Sequence, residues 1–381
     1  MPLLREIGAL LDTLYRPEWA DDWDAVGTVV GDPDAEITKI LLAVDPVQAV
    51  VDEAVAIGAD LVVSHHPLLL RGVTTVAAST PKGRVIHDLI ANGIGLHTCH
   101  TNADSPPLGV SESMALTLGL THLRPLEVDG DAVDKWIVYV PVDDAERVAA
   151  AMHDVGVGVV GDYDRAMFSS RGTGQFRPLA GATPAIGSVG EVETVDEISL
   201  ELVAKPGLRE VVRTALLAAH PYEEVAYDVI ATEPRPSDRG SGRIGLLAEP
   251  MTLRDFAALV VDRLPGHHSA SRVAGDPDTS VRTVALCGGS GDFLLDAAQA
   301  AGADVYVTSD LRHHPVSEHR ERSDACAVID VPHWAAEWTW LPVAAQALEQ
   351  RLDDTVEIAV STIVTDPWTF AVPSPGADAE S

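Results

Sequence analysis

Fourteen histidines stand among 381 residues, and three groups of them stand out, two of which bring imidazole close to carboxylate. His65-His66-Pro67 follows a short apolar run, Leu61–Val63. His97-Thr98-Cys99-His100-Thr101-Asn102-Ala103-Asp104 follows another, and His333-Trp334-Ala335-Ala336-Glu337 opens a predicted helix behind Asp330 and Pro332. A helix sets His333 and Glu337 on one face, where an imidazole and a carboxylate can converge on a cation. Adjacent side chains diverge, so His65 and His66 can reach two different ions. Asp104 offers a hard oxygen, and His100 a ligand or a hydrogen-bond donor behind one. Each group alone has a plainer reading: a surface His–Glu pair, a turn with one core and one exposed histidine, or an Asx-type turn with Asp104 as a helix cap. Together they supply imidazoles and carboxylates at strand ends, where open α/β sheets bind ligands. Mixed imidazole and carboxylate ligation suits zinc, manganese or iron. Two such ions with a bridging carboxylate and water suit hydrolysis, because the pair lowers the pKa of the shared water toward ~7.

Elements that could hold these groups follow from the apolar periodicity. Over 1–128 the chain alternates strand and helix signals: strands at Ile37–Val44, Leu61–Val63 and Ile94–Cys99, helices at Val47–Ala59, Lys82–Asn92 and Val110–Leu118. That rhythm predicts an α/β layer architecture. Over 129–234 it changes to strand Lys135–Val142, helix Asp143–Val155, a glycine-rich stretch Gly156–Gly190 with room for one strand, strand Thr194–Ala204, helix Leu208–Ala219 and strand Val225–Ala231. This is the ferredoxin-like order β-α-β-β-α-β, read as an inserted domain bounded by Asp129–Asp131 and a Pro/Ser/Arg/Gly linker, Pro234–Gly242. Over 235–372 helix–strand alternation returns, with a helical stretch Trp334–Arg351 expected to kink at Pro342, and 373–381 reads as a disordered tail. Gly-Ala-Asp occurs at Gly58–Asp60 and Gly302–Asp304, each before a strand leading to His-His-Pro, at His65–Pro67 and His313–Pro315. The first and third segments therefore read as similar halves of one domain.

Net charge is −32, divided as −11 over 1–130, −9 over 131–232 and −12 over 233–381. Such an even negative field argues against nucleic acid, which needs basic patches to displace counterions. No stretch of about 18 apolar residues occurs, so no membrane span is expected. The start lacks a basic n-region and a cleavage site, so no signal peptide is expected. Cys99, Cys287 and Cys326 are too few and scattered for a disulfide framework, which fits a reducing cytoplasm. No G-x-x-x-x-G-K-[ST] loop is present.

The sequence resembles the type 2 GTP cyclohydrolase I family, also called the Nif-three-like proteins. The resemblance rests on V-S-H-H-P-L (Val63–Leu68), H-T-N-A-D (His100–Asp104) and I-D-V-P-H-W-A-A-E (Ile329–Glu337). In the insertion, G-D-Y-D-R-A-M-F-S-S-R-G-T-G-Q-F-R-P (Gly161–Pro178) and H-P-Y-E-E-V-A-Y-D (His220–Asp228) also match. It implies a Nif-three-like core made by the N- and C-terminal segments, an insertion of the PII/CutA-like type, and a ring-shaped homohexamer. It also implies two divalent ions per chain on His65, His66, Asp104, His333 and Glu337, with Glu337 bridging and His100 close by. The family's ring-opening hydrolysis of GTP makes a small anionic substrate, GTP or another nucleotide, the expected partner. His313 and His314 of the second His-His-Pro, with Asp310 nearby, fall in a region that the resemblance puts close to the metals, which implies a supporting or proton-transfer role for His314. Pro332, Trp334 and Leu108-Gly109 replace the family's usual Gly, Tyr and Gly-Gly, departures that bear on the pocket and not on the ligands. Arg165, Arg171 and Arg177 form a basic island that reads as an anion contact or, more plainly, as inter-subunit ion pairs. His220, His267 and His268 read as structural. A non-catalytic metal scaffold with a ligand-sensing insertion is the alternative to the hydrolase.

Overall fold

Short runs such as KILLA and LVVS have apolar residues on both faces, the mark of strands covered on both sides. In a computed structural model of the chain, which describes residues 1–129, 133–161, 163–233, 237–266, 269–352 and 356–372, these runs lie in the parallel part of a mixed sheet. The elements of the first segment are α1 (Leu4–Leu14), β1 (Gly27–Val30), β2 (Lys39–Ala43), α2 (Gln48–Ile57), β3 (Leu61–Ser64), α3 (Pro81–Ala91), β4 (Gly95–Thr98), α4 (Thr101–Asp104), α5 (Val110–Thr117) and β5 (Thr121–Val128). Then come β6 (Asp134–Pro141), α6 (Ala145–His153), β7 (Met167–Phe176), β8 (Glu193–Ala204), α7 (Arg209–Ala219) and β9 (Tyr227–Ala231). The last segment holds β10 (Gly240–Thr252), α8 (Leu253–Arg263), β11 (Arg272–Ala274), β12 (Ser280–Ser290), α9 (Leu295–Ala300), β13 (Val305–Ser309), α10 (His313–Arg320), β14 (Ala327–Asp330), α11 (His333–Trp338), α12 (Trp340–Leu352) and β15 (Glu357–Val360). Among the described residues no helix is long and apolar enough to cross a membrane.

The chain divides into two units, residues 1–129 with 238–381, and residues 130–237. The first unit holds two mixed sheets, ordered β1-β4-β3-β2-β15 and β11-β14-β13-β12-β10-β5. Strands β2, β3 and β4 run parallel in one, and β12, β13 and β14 run parallel in the other. One apolar core joins them: Leu42 and Val63 from the first sheet, Val284 and Val307 from the second, and Trp340 and Leu348 of α12 share it. The second unit is a four-stranded antiparallel sheet, β7-β8-β6-β9, with α6 and α7 burying Trp136, Val138, Leu200 and Leu202 on one face.

The two Gly-Ala-Asp copies do the same work. Asp60 Oδ2 accepts from the amides of Thr38 and Lys39 at 2.7 and 3.0 Å, and Asp304 Oδ2 accepts from those of Arg282 and Thr283 at 2.8 and 2.7 Å. Each aspartate clamps its own strand to the preceding parallel one. The His-His-Pro copies do not correspond. His65 follows Asp60 by five residues, whereas His313 follows Asp304 by nine, so Ser309 and Asp310 occupy the strand-end positions of His65 and His66. His313 and His314 begin α10 instead.

Other expectations are corrected. Residues 240–242 of the expected linker are strand, the start of β10, which pairs with β5 and β12. The long last helix breaks at Thr339, not at Pro342, which lies in the first turn of α12, where a missing N–H is harmless. The expected tail 373–381, His267 and His268, and linker residues 234–236 lie outside the described residues.

Candidate metal centre

His65 and His66 follow β3 because the apolar strand ends at Ser64 and the chain turns at Pro67. His100 and Asp104 bracket the single turn of α4 just past β4, and His333 and Glu337 lie on one face of α11 just past β14. All three segments are at carboxyl ends of parallel strands, and all lie in the first unit. The fold brings His65, His66, His100, Asp104, His333 and Glu337 together.

Glu337 is the hub, with 3 % of its surface exposed. Its Oε1 lies 2.7 Å from His333 Nε2 and 3.5 Å from His65 Nε2, and its Oε2 lies 3.0 Å from His66 Nε2. Asp104 Oδ1 lies 3.7 Å from His65 Nε2. Asp104 Oδ1 and Glu337 Oε2 are both buried without a hydrogen bond of proper geometry. Two overlapping donor groups result, His65–His66–His100 and His66–His333–Glu337, each with its ligand atoms within 4.8 Å of one another. His66 belongs to both.

Each of the four imidazoles is held from behind. His65 Nδ1 donates to the Cys99 carbonyl at 2.9 Å, His66 Nδ1 to Asp45 at 2.7 Å, His100 Nδ1 to Asp24 at 2.8 Å, and His333 Nδ1 to Asp310 at 2.7 Å. A donating Nδ1 fixes the ring and leaves Nε2 as the ligand atom, the arrangement found behind metal-binding histidines. Asp24 is itself held by the Thr101 amide and hydroxyl. Asp310 reaches His333 from a left-handed backbone, φ 57°, a conformation aspartate tolerates better than most residues.

Close approach also requires Gly289. Its φ is +76°, and a Cβ there would stand 2.5 Å from Glu337 Oε1. Gly289, near the end of β12, thus makes room for the hub carboxylate.

Electrostatics follow from the same contacts. Burial opposes ionisation of Glu337, but His66, His333 and His65 outweigh it and hold the carboxyl well below the carboxylate range. Burial likewise opposes protonation of His66 and His333. Glu337 with Asp45 lifts His66 to about 10, and Glu337 with Asp310 lifts His333 to about 11. Glu337 thus favours protonated imidazoles at His66 and His333 when no cation is bound. The donor set of imidazole Nε2 atoms and two buried carboxylate oxygens fits divalent metal ions.

A cavity of about 720 Å³ opens beside His66 and His333. Its far wall is the strap 365–371, carrying Trp368 and Phe370. The strap is tied down by Thr365, which donates to the other oxygen of Asp45, and by Ser269, which donates to Asp366 at 2.6 Å.

Some candidate residues lie elsewhere. His314 is exposed on α10, its ring 5.2 Å from that of His313, with no contact to the cluster; Asp310 is the residue of that segment that reaches the centre. His97 points the other way from His100, into the core beside Gly8 and Thr28. Cys99, Cys287 and Cys326 are buried free thiols. Arg165, Arg171 and Arg177 are all exposed in the second unit, and Arg165 pairs with Asp154. The anchors Asp24, Asp45 and Asp310 carry no motif spacing.

Comparison with known proteins places these residues in context. Residues 2–367 match the family profile described as Duf34/NIF3 (NGG1p interacting factor 3). A Mycobacterium tuberculosis protein named "GTP cyclohydrolase 1 type 2 homolog" is 48 % identical over 369 residues, covering 96 % of this chain and 97 % of the relative. A crystal structure of a Bacillus cereus protein related to NIF3 is similar with a TM-score of 0.67 at 34 % identity, covering 97 % of this chain and 99 % of that one. A Staphylococcus aureus crystal structure gives 0.73 at 28 % identity, with the same coverage.

Proposed function

Because the chain belongs to the Duf34/NIF3 family, we propose that it is a dinuclear metal-dependent hydrolase. His65, His66, Asp104, His333 and Glu337 would hold two divalent ions, zinc, manganese or iron, with Glu337 between them and His100 at the edge. The observation that carries this reading is that three imidazoles anchored through Nδ1, those of His65, His66 and His333, turn Nε2 toward one buried glutamate, with His100 grouped beside His65 and His66 and an unpartnered Asp104 oxygen alongside. Bound ions would supply an activated water and charge stabilisation for hydrolysis at near-neutral pH.

The chain's own contribution is orientation and proton handling. Asp45, Asp24 and Asp310 fix the rings. His100 Nε2, backed by Asp24, is placed to take or give a proton at the edge of the site. Trp368 and Phe370 wall one side of a cavity large enough for a nucleotide-sized ligand. The substrate class proposed is a small anion, GTP or another nucleotide, in keeping with the names of the relatives. The reading includes a ferredoxin-like second unit, supported by its element order and sheet order, and a cytoplasmic homohexamer, as the family resemblance implies.

The test is to purify the protein, measure metal per chain, and screen GTP, other nucleotides and phosphoesters for turnover, with Glu337→Gln as the comparison. Metal-dependent turnover lost in Glu337→Gln is expected. Bound metal with no turnover of any candidate overturns the hydrolase and leaves a metal scaffold; turnover that survives in Glu337→Gln overturns the site.

A further inference from the structure

The second unit carries the two motifs that the metal centre does not use, G-T-G-Q-F-R-P and H-P-Y-E-E. They converge. The first ends β7 and the second follows α7, and between them lies a cavity of about 590 Å³. It sits on the face of the sheet opposite α6 and α7, since Glu197 alternates with the helix-facing Ile198, Leu200 and Leu202. Phe176, Leu179, Ile186 and Tyr222 give it an apolar wall.

Its polar feature is Glu197, which is 9 % exposed. Glu197 Oε1 accepts from the Tyr222 hydroxyl at 2.9 Å. Among the described residues no lysine, arginine or histidine forms an ion pair with it. A carboxylate removed from water without a cation is costly. The local sequence nevertheless builds room for it. Gly174, the second glycine of G-T-G, has no special φ, but a Cβ there would run into the Glu197 carboxylate. Tyr222 is positioned in turn: its amide donates to His220 Nδ1 at 3.1 Å, while His220 Nε2 donates to the Tyr139 carbonyl at 3.0 Å. Phe176 meets Tyr222 edge to face at 5.7 Å. Glu223 and Glu224 add negative charge at the rim against one cation, Arg177.

We infer that this cavity is a second ligand site, which takes an organic ammonium ion with an aromatic or apolar body. The ammonium would pair with Glu197, and the body would lie against Phe176 and Tyr222, where ring faces also favour a cation. The site is independent of the metal centre and of the hydrolase reading.

The test uses the full-length protein, calorimetric titration at low salt, and two probes of the same shape, phenethylamine and phenylacetate. Phenethylamine is expected to bind one per chain and phenylacetate not at all. A charge-assisted hydrogen bond is worth about 1.5–3 kcal/mol, so Glu197→Gln should weaken amine binding by about tenfold or more. Tyr222→Phe keeps the ring and removes only the hydroxyl, and should weaken binding by a smaller factor; circular dichroism checks that both variants fold. Binding should be the same after EDTA treatment. The inference is overturned if phenethylamine shows no binding to the wild type, if phenylacetate binds as well, if Glu197→Gln binds as the wild type does, or if EDTA abolishes the titration.

Discussion

His66 Nε2 and His333 Nε2 lie 3.3 Å apart, with one oxygen of Glu337 on each. Two protonated rings this close repel each other, and the buried carboxylate between them is what holds both up, to about 10 and about 11. In the metal-free chain Glu337 therefore favours protonation of these rings.

A bound metal at the proposed centre must displace those protons. Metal titrations at pH 7 in buffers of different ionisation enthalpy should reveal net proton release, of about one to two per chain. Affinity should fall as pH falls, and the fall should begin above neutrality instead of near 6.5, the ordinary histidine value. Metal retention that is unchanged from pH 8 to pH 6 contradicts this.

The aspartates behind the rings should matter almost as much as the ligands. Asp310→Asn and Asp45→Asn keep a hydrogen-bonding group but lose its charge and its purely accepting character. Each is expected to reduce metal affinity by about 10–100-fold, measured by competition with a chromophoric chelator. Wild-type affinity in both variants would mean that Nδ1 anchoring does not tune this site.

Gly289→Ala places a methyl against Glu337 and asks alanine to hold φ +76°. Strain of this kind costs about 1–3 kcal/mol, so the melting temperature should drop. The diagnostic readout is metal per chain, which should fall in protein that circular dichroism shows to be folded. Full metal content would show that Glu337 can retreat without consequence.

His97 offers a pH test away from the centre. Burial beside α1 pushes it down to about 4 from 6.5. The unfolded chain then binds more protons than the folded one between those values. Folded stability should fall as pH drops from about 6.5 toward 4, by up to about 3 kcal/mol from this residue. Urea unfolding of wild type and His97→Gln across that window isolates the term, and the variant should show the shallower slope. Parallel slopes would assign the acid sensitivity to other groups.

Arg243 is fully buried at the start of β10, paired with Glu112 at 2.9 Å and donating to the carbonyls of Ser105, Pro106, Gly240 and Gly242. Arg243→Ala strands Glu112 and four carbonyls, and should destabilise the first unit by about 3–5 kcal/mol in chemical denaturation. A loss under 1 kcal/mol would be incompatible with these contacts.

What was legible in the sequence follows the range of the signal. His65-His66, His100–Asp104 and His333–Glu337 are local patterns beside apolar strands, and both patterns and strands are readable from a few residues. Asp24, Asp45 and Asp310 lie 76, 21 and 23 residues from the rings that they hold, and nothing local marks them. The position of His314 was not legible because the repeat is kept in Gly-Ala-Asp, which clamps strands, and not in the segment after the strand, where His313 and His314 begin α10. Strand β10 escaped because Pro250 and Glu249 interrupt its apolar run and because its register with β12 shifts there. The break at Thr339 was placed at Pro342 because proline is the louder signal, although its position in a first turn makes it compatible with the helix.

The candidate centre joins His65 and His66 to Glu337, nearly three hundred residues later. A nascent chain carries the first two histidines out of the ribosome long before their partner exists, and the second unit is synthesised in between. Until α11 emerges, the first segment holds His65, His66, His100 and Asp104 without the buried carboxylate that links them to His333. Completion of the proposed centre is thus confined to the end of synthesis, and any fragment truncated before α11 would keep only the donors of the first segment.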